Sequence, residues 1–405
     1  MGLFVAALAL LLASGCDGGG GQEEEQAEEE QASKDALDSQ DALNAALEQS
    51  FSESGAPGVV AAVQTPEDTW VGTLGVADLS SEEPMSADMH QRIGSVTKTF
   101  TVSLLLQAAA DGLLSLDDTI DRYVEGIPNG DEITLRQMAN MTSGIASYTF
   151  NEQWQDAFFS DPQRIWRPEE LVRFSITDSP AFDPGTEFQY SNTNTVLLGI
   201  VLEQVSGKSI GELYRERIIE PLGLQQTSFP NADPAFPDPH PQGYTLQGQE
   251  DGEPLNATDW NPSWGWTAGG MISTVDDLLV YGRALGTGEG LLPSEQQAER
   301  LNSFPGDEVP PNSAERAYGL GLGREYGWLG HTGELPGFNT AVYYHPELDA
   351  TVVVEVNSDI PSGDCPPDRP TMTDAPTEDI PCADPAVRIF GALAEALGEP
   401  FGPEQ

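Results

Sequence analysis

Strand-like segments lie near both ends of this chain, and the stretch between them is helical. Residues 57–63 and 69–76 are short apolar runs split by the polar turn Pro66-Glu67-Asp68. They predict a hairpin. Residues 327–331, 338–345 and 350–356 predict three further strands, the last two joined at Pro346-Glu347-Leu348-Asp349. A chain patterned this way suits a mixed α+β fold rather than a repeating βαβ fold. One layer is then an antiparallel sheet flanked by N- and C-terminal helices. The other is a mainly helical subdomain from the middle of the chain.

The helices carry their own signals. From Ser39 onward, Leu43, Ala46, Leu47 and Phe51 share one face. Residues 95–110 give the clearest pattern, with Val96, Phe100, Leu104 and Ala108 at i+4 spacing and Gly112 closing the helix. Pro168 begins another by the rule that favours proline at the first helical position. Residues 193–205, 274–285 and 386–397 predict three more, and a loop-rich stretch covers 229–266.

Three short strings then carry chemistry, in this order: Ser95-Val96-Thr97-Lys98, Tyr190-Ser191-Asn192 and His331-Thr332-Gly333. Three residues apart on a helix, the Ser95 hydroxyl and the Lys98 amine share a face. A serine hydroxyl needs a neighbouring base before it becomes a nucleophile. Tyr190 and Asn192 add a phenol and an amide. His331-Thr332-Gly333 has the make-up of a strand edge along which a substrate could lie, with Gly333 allowing close approach. The bland readings are an N-cap serine, a surface lysine, a half-buried tyrosine and a polar strand end. The set in its order points instead to acyl transfer. H-E-x-x-H and histidine clusters are absent from the sequence, so no metal or other cofactor is expected.

With these strings the chain resembles the serine β-lactamase and penicillin-binding protein superfamily. The likeness is to the branch of class C β-lactamases, related esterases and D-alanyl-D-alanine carboxypeptidases. It extends over roughly residues 40–360 and includes Arg92–Phe100, Ile133-Thr134-Leu135-Arg136-Gln137, Thr142-Ser143-Gly144 and Tyr318-Gly319-Leu320-Gly321-Leu322. The resemblance implies the β-lactamase/transpeptidase-like fold with its site between the sheet and the helical subdomain. It implies Ser95 as nucleophile, Lys98 and Tyr190 sharing acid/base work, and Asn192, His331, Thr332, Gly333 and Trp264 on the substrate side. Trp260 and Trp266 are either an added apolar wall or ordinary core and loop residues. The N–H groups of Ser95 and Glu334 are the expected oxyanion donors. Two departures stand out. Glu334 replaces a small hydroxyl residue that receives a substrate carboxylate, and Arg324 comes one residue late after Leu322-Gly323. On a strand that shift turns a side chain to the other face. The expected activity is ester or amide cleavage, esterase or carboxypeptidase-like, with carboxylate recognition in question. A non-catalytic sensor or envelope-binding protein is the alternative reading.

Charge narrows the setting. The chain of 405 residues has 66 acidic against 17 basic side chains, a net −49, and only Lys34, Lys98 and Lys208 as lysines. Such a surface repels polyanions, which excludes nucleic acid. It fits either a protein adapted to high salt or an acidic exported one. Residues 3–12 form an apolar run of export-signal length ending at Ala13-Ser14-Gly15-Cys16, which resembles a lipoprotein signal with Cys16 as the lipid-bearing residue. The expected organisation is a signal peptide over 1–16, an acidic tether over 17–38 and a hydrolase domain over 39–405. Cys365 and Cys382 are expected to form a disulfide. The expected partners are a small-molecule or peptidoglycan-peptide substrate and a membrane reached through the lipid. The expected state is a monomer at the bacterial cell envelope, periplasmic or surface.

Overall fold

The computed structural model describes residues 39–402 apart from 178, 250–251, 367–368 and 372–379. The signal segment with Cys16 and the tether 17–38 lie outside the described residues. Leu43–Gln405 forms one compact unit.

Its framework is a single eight-stranded antiparallel sheet. The strands are β1 (Gly58–Gln64), β2 (Thr69–Asp78), β3 (Glu83–Pro84), β4 (Arg316–Tyr318), β5 (Gly323–Glu325), β6 (Trp328–Leu335), β7 (Phe338–His345) and β8 (Ala350–Val356). They lie in the order β3-β2-β1-β8-β7-β6-β5-β4. The two ends of the chain therefore meet at the β1–β8 seam, where Ala61 faces Val354 and Val63 faces Val352. Side chains alternate across the sheet, as a period of two requires. Val59, Ala61 and Val63 pack with Leu43 and Leu47 of helix α1 (39–54) and with Ile389, Phe390 and Leu393 of α5 (Pro385–Ala396). Val60 and Ala62 face the opposite layer, which holds α2 (Thr97–Ala110), α3 (Asn192–Ser206) and α4 (Val275–Thr287).

The sequence pattern and the structure differ at α2. The i+4 stripe predicts a one-sided helix, yet every residue from Thr97 to Ala108 is buried. Its polar residues survive burial because their hydroxyls are satisfied. Thr99 bonds the Val96 carbonyl and the Tyr281 hydroxyl, at 2.7 and 2.8 Å. Thr101 bonds the Tyr214 hydroxyl at 2.6 Å and the Thr267 carbonyl at 2.7 Å. The helix that opens with Ser95 is thus the axle of the subdomain, held on all sides. A second difference concerns β6. The glycine-rich sequence suggests a strand that stops at His331, whereas pairing with β7 continues from Leu329–Tyr344 to Leu335–Phe338. His331-Thr332-Gly333 is therefore mid-strand. The short strands β4 and β5 have no clear sequence signal and exist by pairing beside β6.

Candidate active site

Ser95 sits in a single 3-10 turn, Gly94–Val96, that runs directly into α2. Gly94 makes this approach possible. Its φ is +49°, and a Cβ there would stand 2.5 Å from the Glu334 nitrogen. Gly333 is the matching contact from β6: a Cβ on it would lie 2.0 Å from the Ile93 carbonyl oxygen and 3.2 Å from the Ser95 nitrogen. No side chain fits at either position, so helix start and strand touch backbone to backbone. Leu335 and Phe338 close a two-residue turn, and alternate residues of an antiparallel pair point their N–H groups to opposite sides. The N–H of Glu334 accordingly points away from β7, toward the turn that carries Ser95.

Lys98 lies one helical turn below. Its Nζ donates to Ser95 Oγ at 2.9 Å and to the Ala268 carbonyl at 2.7 Å. It is fully buried, and among the described residues no carboxylate forms an ion pair with it. Burial pushes its pKa well below the usual lysine value. The Tyr190 ring sits 4.8 Å from Nζ, and its hydroxyl bonds Ser95. Burial pushes this phenol up, and the Glu334 charge adds to the effect. The resting pair is a neutral phenol beside an amine readily stripped of its proton.

Asn192 begins α3 two residues after Tyr190. Its side-chain amide donates to Thr149 Oγ1 at 3.2 Å, and its backbone N–H to Ser147 Oγ at 3.1 Å. The turn Trp266–Gly269 locks α3 to α2: Thr267 bonds the Thr195 carbonyl at 2.8 Å, while Ala268 receives Lys98. His331 is buried 6.2 Å, ring to ring, from Tyr190. Thr332 is half-buried beside it.

The comparisons with known proteins fit this geometry. The Beta-lactamase family profile matches residues 43–375. The chain belongs to the Beta-lactamase family. Within it, the chain is 26% identical to Protein flp of Staphylococcus aureus (strain MW2) over 329 residues, 79% of this chain and 63% of that protein. The chain thus spans less than two thirds of that curated relative. A D-stereospecific amidohydrolase from Streptomyces sp. is similar at 33% identity and TM-score 0.71, covering 78% of this chain and 94% of that one. D-amino acid amidase from Ochrobactrum anthropi SV3 is similar at 26% identity and TM-score 0.72, covering 88% and 98%.

Glu334 links this β-lactamase-family site to a cavity of about 370 Å³, which it lines together with Phe159, Gln247, Asp359 and Arg369, among others. Glu334 is open to this cleft. Gln247 Nε2 bridges Glu334 Oε1 at 3.2 Å and Asp359 Oδ2 at 2.6 Å. Desolvation by the surrounding protein pushes both carboxyls above their ordinary range, and repulsion from Asp359 and Asp384 adds to it at Glu334. Arg369 reaches the same cavity but is paired with Asp384. Arg324 turns elsewhere, stacking 4.6 Å over Phe304 and reaching the Ser313 carbonyl. Cys365 and Cys382 are joined in a disulfide.

The tryptophans separate. Trp264 is half-buried, packs on Trp154 and Phe158, and accepts a 2.6 Å bond from Tyr148 through its carbonyl. Trp260 packs on Phe159, which lines the cavity. Trp266 is core, buried against Gly199, and forms no cleft wall. Sequence patterns single out neither Asp359, Gln247 nor Arg369, whose flanking residues carry no motif. Tyr318 stands out only within the Tyr318–Leu322 string, where nothing shows that its hydroxyl meets His331.

Proposed function

We propose that this protein is a serine hydrolase that forms an acyl-enzyme on Ser95 and cleaves uncharged or amine-bearing esters and amides. Peptides ending in a free carboxylate, such as D-alanyl-D-alanine, are poorer substrates. The observation that carries the reading is the 2.9 Å contact between Ser95 Oγ and a buried Lys98 that has no carboxylate partner among the described residues. Ser95 Oγ attacks the carbonyl carbon, and its proton passes to the neutral Lys98 amine with Tyr190 alongside. The carbonyl oxygen becomes anionic between the N–H groups of Ser95 and Glu334. The Lys98–Tyr190 pair returns the proton to the leaving oxygen or nitrogen. Water then attacks the ester on Ser95 by the same route, releasing the acid.

Three features support the substrate preference. Glu334 and Asp359 line the cavity beside the oxyanion donors. Arg324 is engaged by Phe304, and Arg369 by Asp384. Two similar solved structures are named a D-stereospecific amidohydrolase and a D-amino acid amidase. The same proposal tethers the enzyme to the cell envelope through Cys16.

Intact-mass analysis after a β-lactam or a fluorophosphonate tests the core of this reading. One adduct is expected on the native chain and none on Ser95→Ala. An adduct that persists in Ser95→Ala sinks it, and an adduct with no turnover of any ester or amide favours a sensor.

A further inference from the structure

The two ring nitrogens of His331 are both engaged. Nδ1 faces the carbonyl oxygen of Thr332, which can only accept, so Nδ1 carries the hydrogen. Nε2 lies 3.0 Å from the Tyr318 hydroxyl. An imidazole that is neutral and protonated on Nδ1 offers only a lone pair at Nε2, so Tyr318 is the donor. We propose that Tyr318 is a positioning residue that holds His331 in its Nδ1–H form, leaving the imidazole no N–H to present to substrate.

The geometry around the pair supports this. The Tyr318 ring meets His331 edge-on at 5.5 Å and Tyr190 edge-on at 6.2 Å, so one phenol braces both. Charged and titratable groups face His331 from three other elements. Lys98 comes from α2, Tyr190 from the start of α3 and Tyr318 from β4. Burial and the Lys98 charge both oppose an imidazolium, pushing His331 down to about 3. Behind Tyr318 lies Arg300, fully buried and bonded to Ser103 at 2.8 Å. Burial pushes the Tyr318 phenol well up and keeps its hydrogen in place, and the Arg300 charge offsets this only in part. Tyr318 thus donates to a nitrogen that has nothing left to donate.

The consequence concerns specificity, and it rests on the hydrolase reading above. A lysine at this place would bring a cation to the strand edge. His331 held by Tyr318 brings none, so Thr332 and the β6 backbone are what the edge offers a substrate. Among the described residues, His331 thus adds no cation to this side of the cleft, as Arg324 adds none from its place on Phe304.

The first measurement is made on the resting native protein with no substrate, so it stands apart from acylation of Ser95. Two-bond 1H–15N correlation on histidine-labelled protein resolves the four imidazoles, with His331 assigned by its loss in His331→Gln. The expected result is an Nδ1–H tautomer that does not titrate between pH 5 and 8. An Nε2–H tautomer, or titration inside that range, overturns the proposal. The second measurement uses Tyr318→Phe, which keeps the ring. It should raise the His331 pKa by roughly one unit, since a donor to the neutral form is lost. KM for a carboxylate-bearing ester should fall about threefold relative to a neutral ester near pH 4, where the raised imidazole is half charged, with no such change at pH 8. Equal losses on both substrates at every pH, with the tautomer intact, assign Tyr318 to packing alone and overturn it.

Discussion

The two sides of the cleft respond to burial in opposite directions. On the Ser95 side, burial strips charge from an amine: Lys98 is pushed down, and Tyr190 is pushed up and stays neutral. On the cavity side, burial pushes Glu334 and Asp359 toward holding protons. The physical cause is shared, because a low-polarity surround disfavours whichever form is charged. The results differ in use. A lysine that loses its proton becomes a base for a serine, whereas carboxyls that gain protons become wall groups that can give them up to a cationic guest. Two residues that share one strand, His331 and Glu334, mark the change from a dry interior to an open cavity.

The largest effect is expected from removing the amine. Lys98→Met should lower kcat/KM on a neutral ester by about 10³-fold, within the range for losing a general base. The pH profile is the sharper reading. In the native enzyme the rate should rise with pH through the lowered Lys98 pKa, because only the unprotonated amine accepts the Ser95 proton. That acid limb should vanish in Lys98→Met, and a limb that remains would assign it to another group.

Next comes the seam between the two sides. Gly333→Ala places a methyl where the Ile93 carbonyl now stands 2.0 Å away and where the Ser95 nitrogen is near. The strand and the helix start must part, which displaces one oxyanion donor from the other. A loss of about 10²-fold in kcat is expected, with KM little changed. Equal losses in kcat and stability, with KM raised, would point to general unfolding, which circular dichroism at matched temperature would reveal.

A smaller effect is expected on the acidic side. Glu334→Gln keeps the shape and the backbone donor while removing the charge that Glu334 carries once the pH passes its raised pKa of about 8. Above that pKa, the ratio of kcat/KM for a D-Ala-D-Ala peptide over that for a neutral ester should rise about tenfold at low salt and less at high salt, where the charge is screened, and it should change little where Glu334 holds its proton. An unchanged ratio breaks the comparison, since the wall would then play no part in rejecting carboxylates.

The smallest effect lies outside the cleft and serves as its control. Glu355 on β8 is buried beside Asp277 and its pKa is pushed well above the ordinary value. A raised carboxyl stabilises the fold below the unfolded pKa, and that contribution is lost as pH rises toward the folded value. Glu355→Gln should therefore raise Tm by about 2–6 °C at pH 8 and change it little near pH 4. Activity per folded molecule should follow the native enzyme.

Much of the architecture and of the reacting centre is legible in the sequence. The S-x-x-K spacing puts Ser95 and Lys98 on one helical face whatever surrounds them, since three residues span just under a turn. Strand runs at both ends with helices between fix an α+β class, because a period of two and a period near 3.6 bury different faces. Gly94 and Gly333 stand inside recognisable motifs, but the motifs do not disclose why glycine is needed there. The reason is the backbone contact between a helix start and a strand more than 230 residues apart in sequence, which no local pattern records.

What the tertiary structure alone decided is what each charge meets. The sequence determined that Lys98 follows Ser95, that His331 stands in the third string and that Glu334 and Arg324 depart from the family's usual residues. It could not place Asp359 and Gln247 beside Glu334, turn Arg324 onto Phe304, or set the Tyr318 hydroxyl on His331 Nε2. Helical and strand periods follow from the geometry of neighbouring residues, so a sequence carries them openly. Burial and electrostatics depend on every group within several ångströms, and those groups come from segments that only folding brings together.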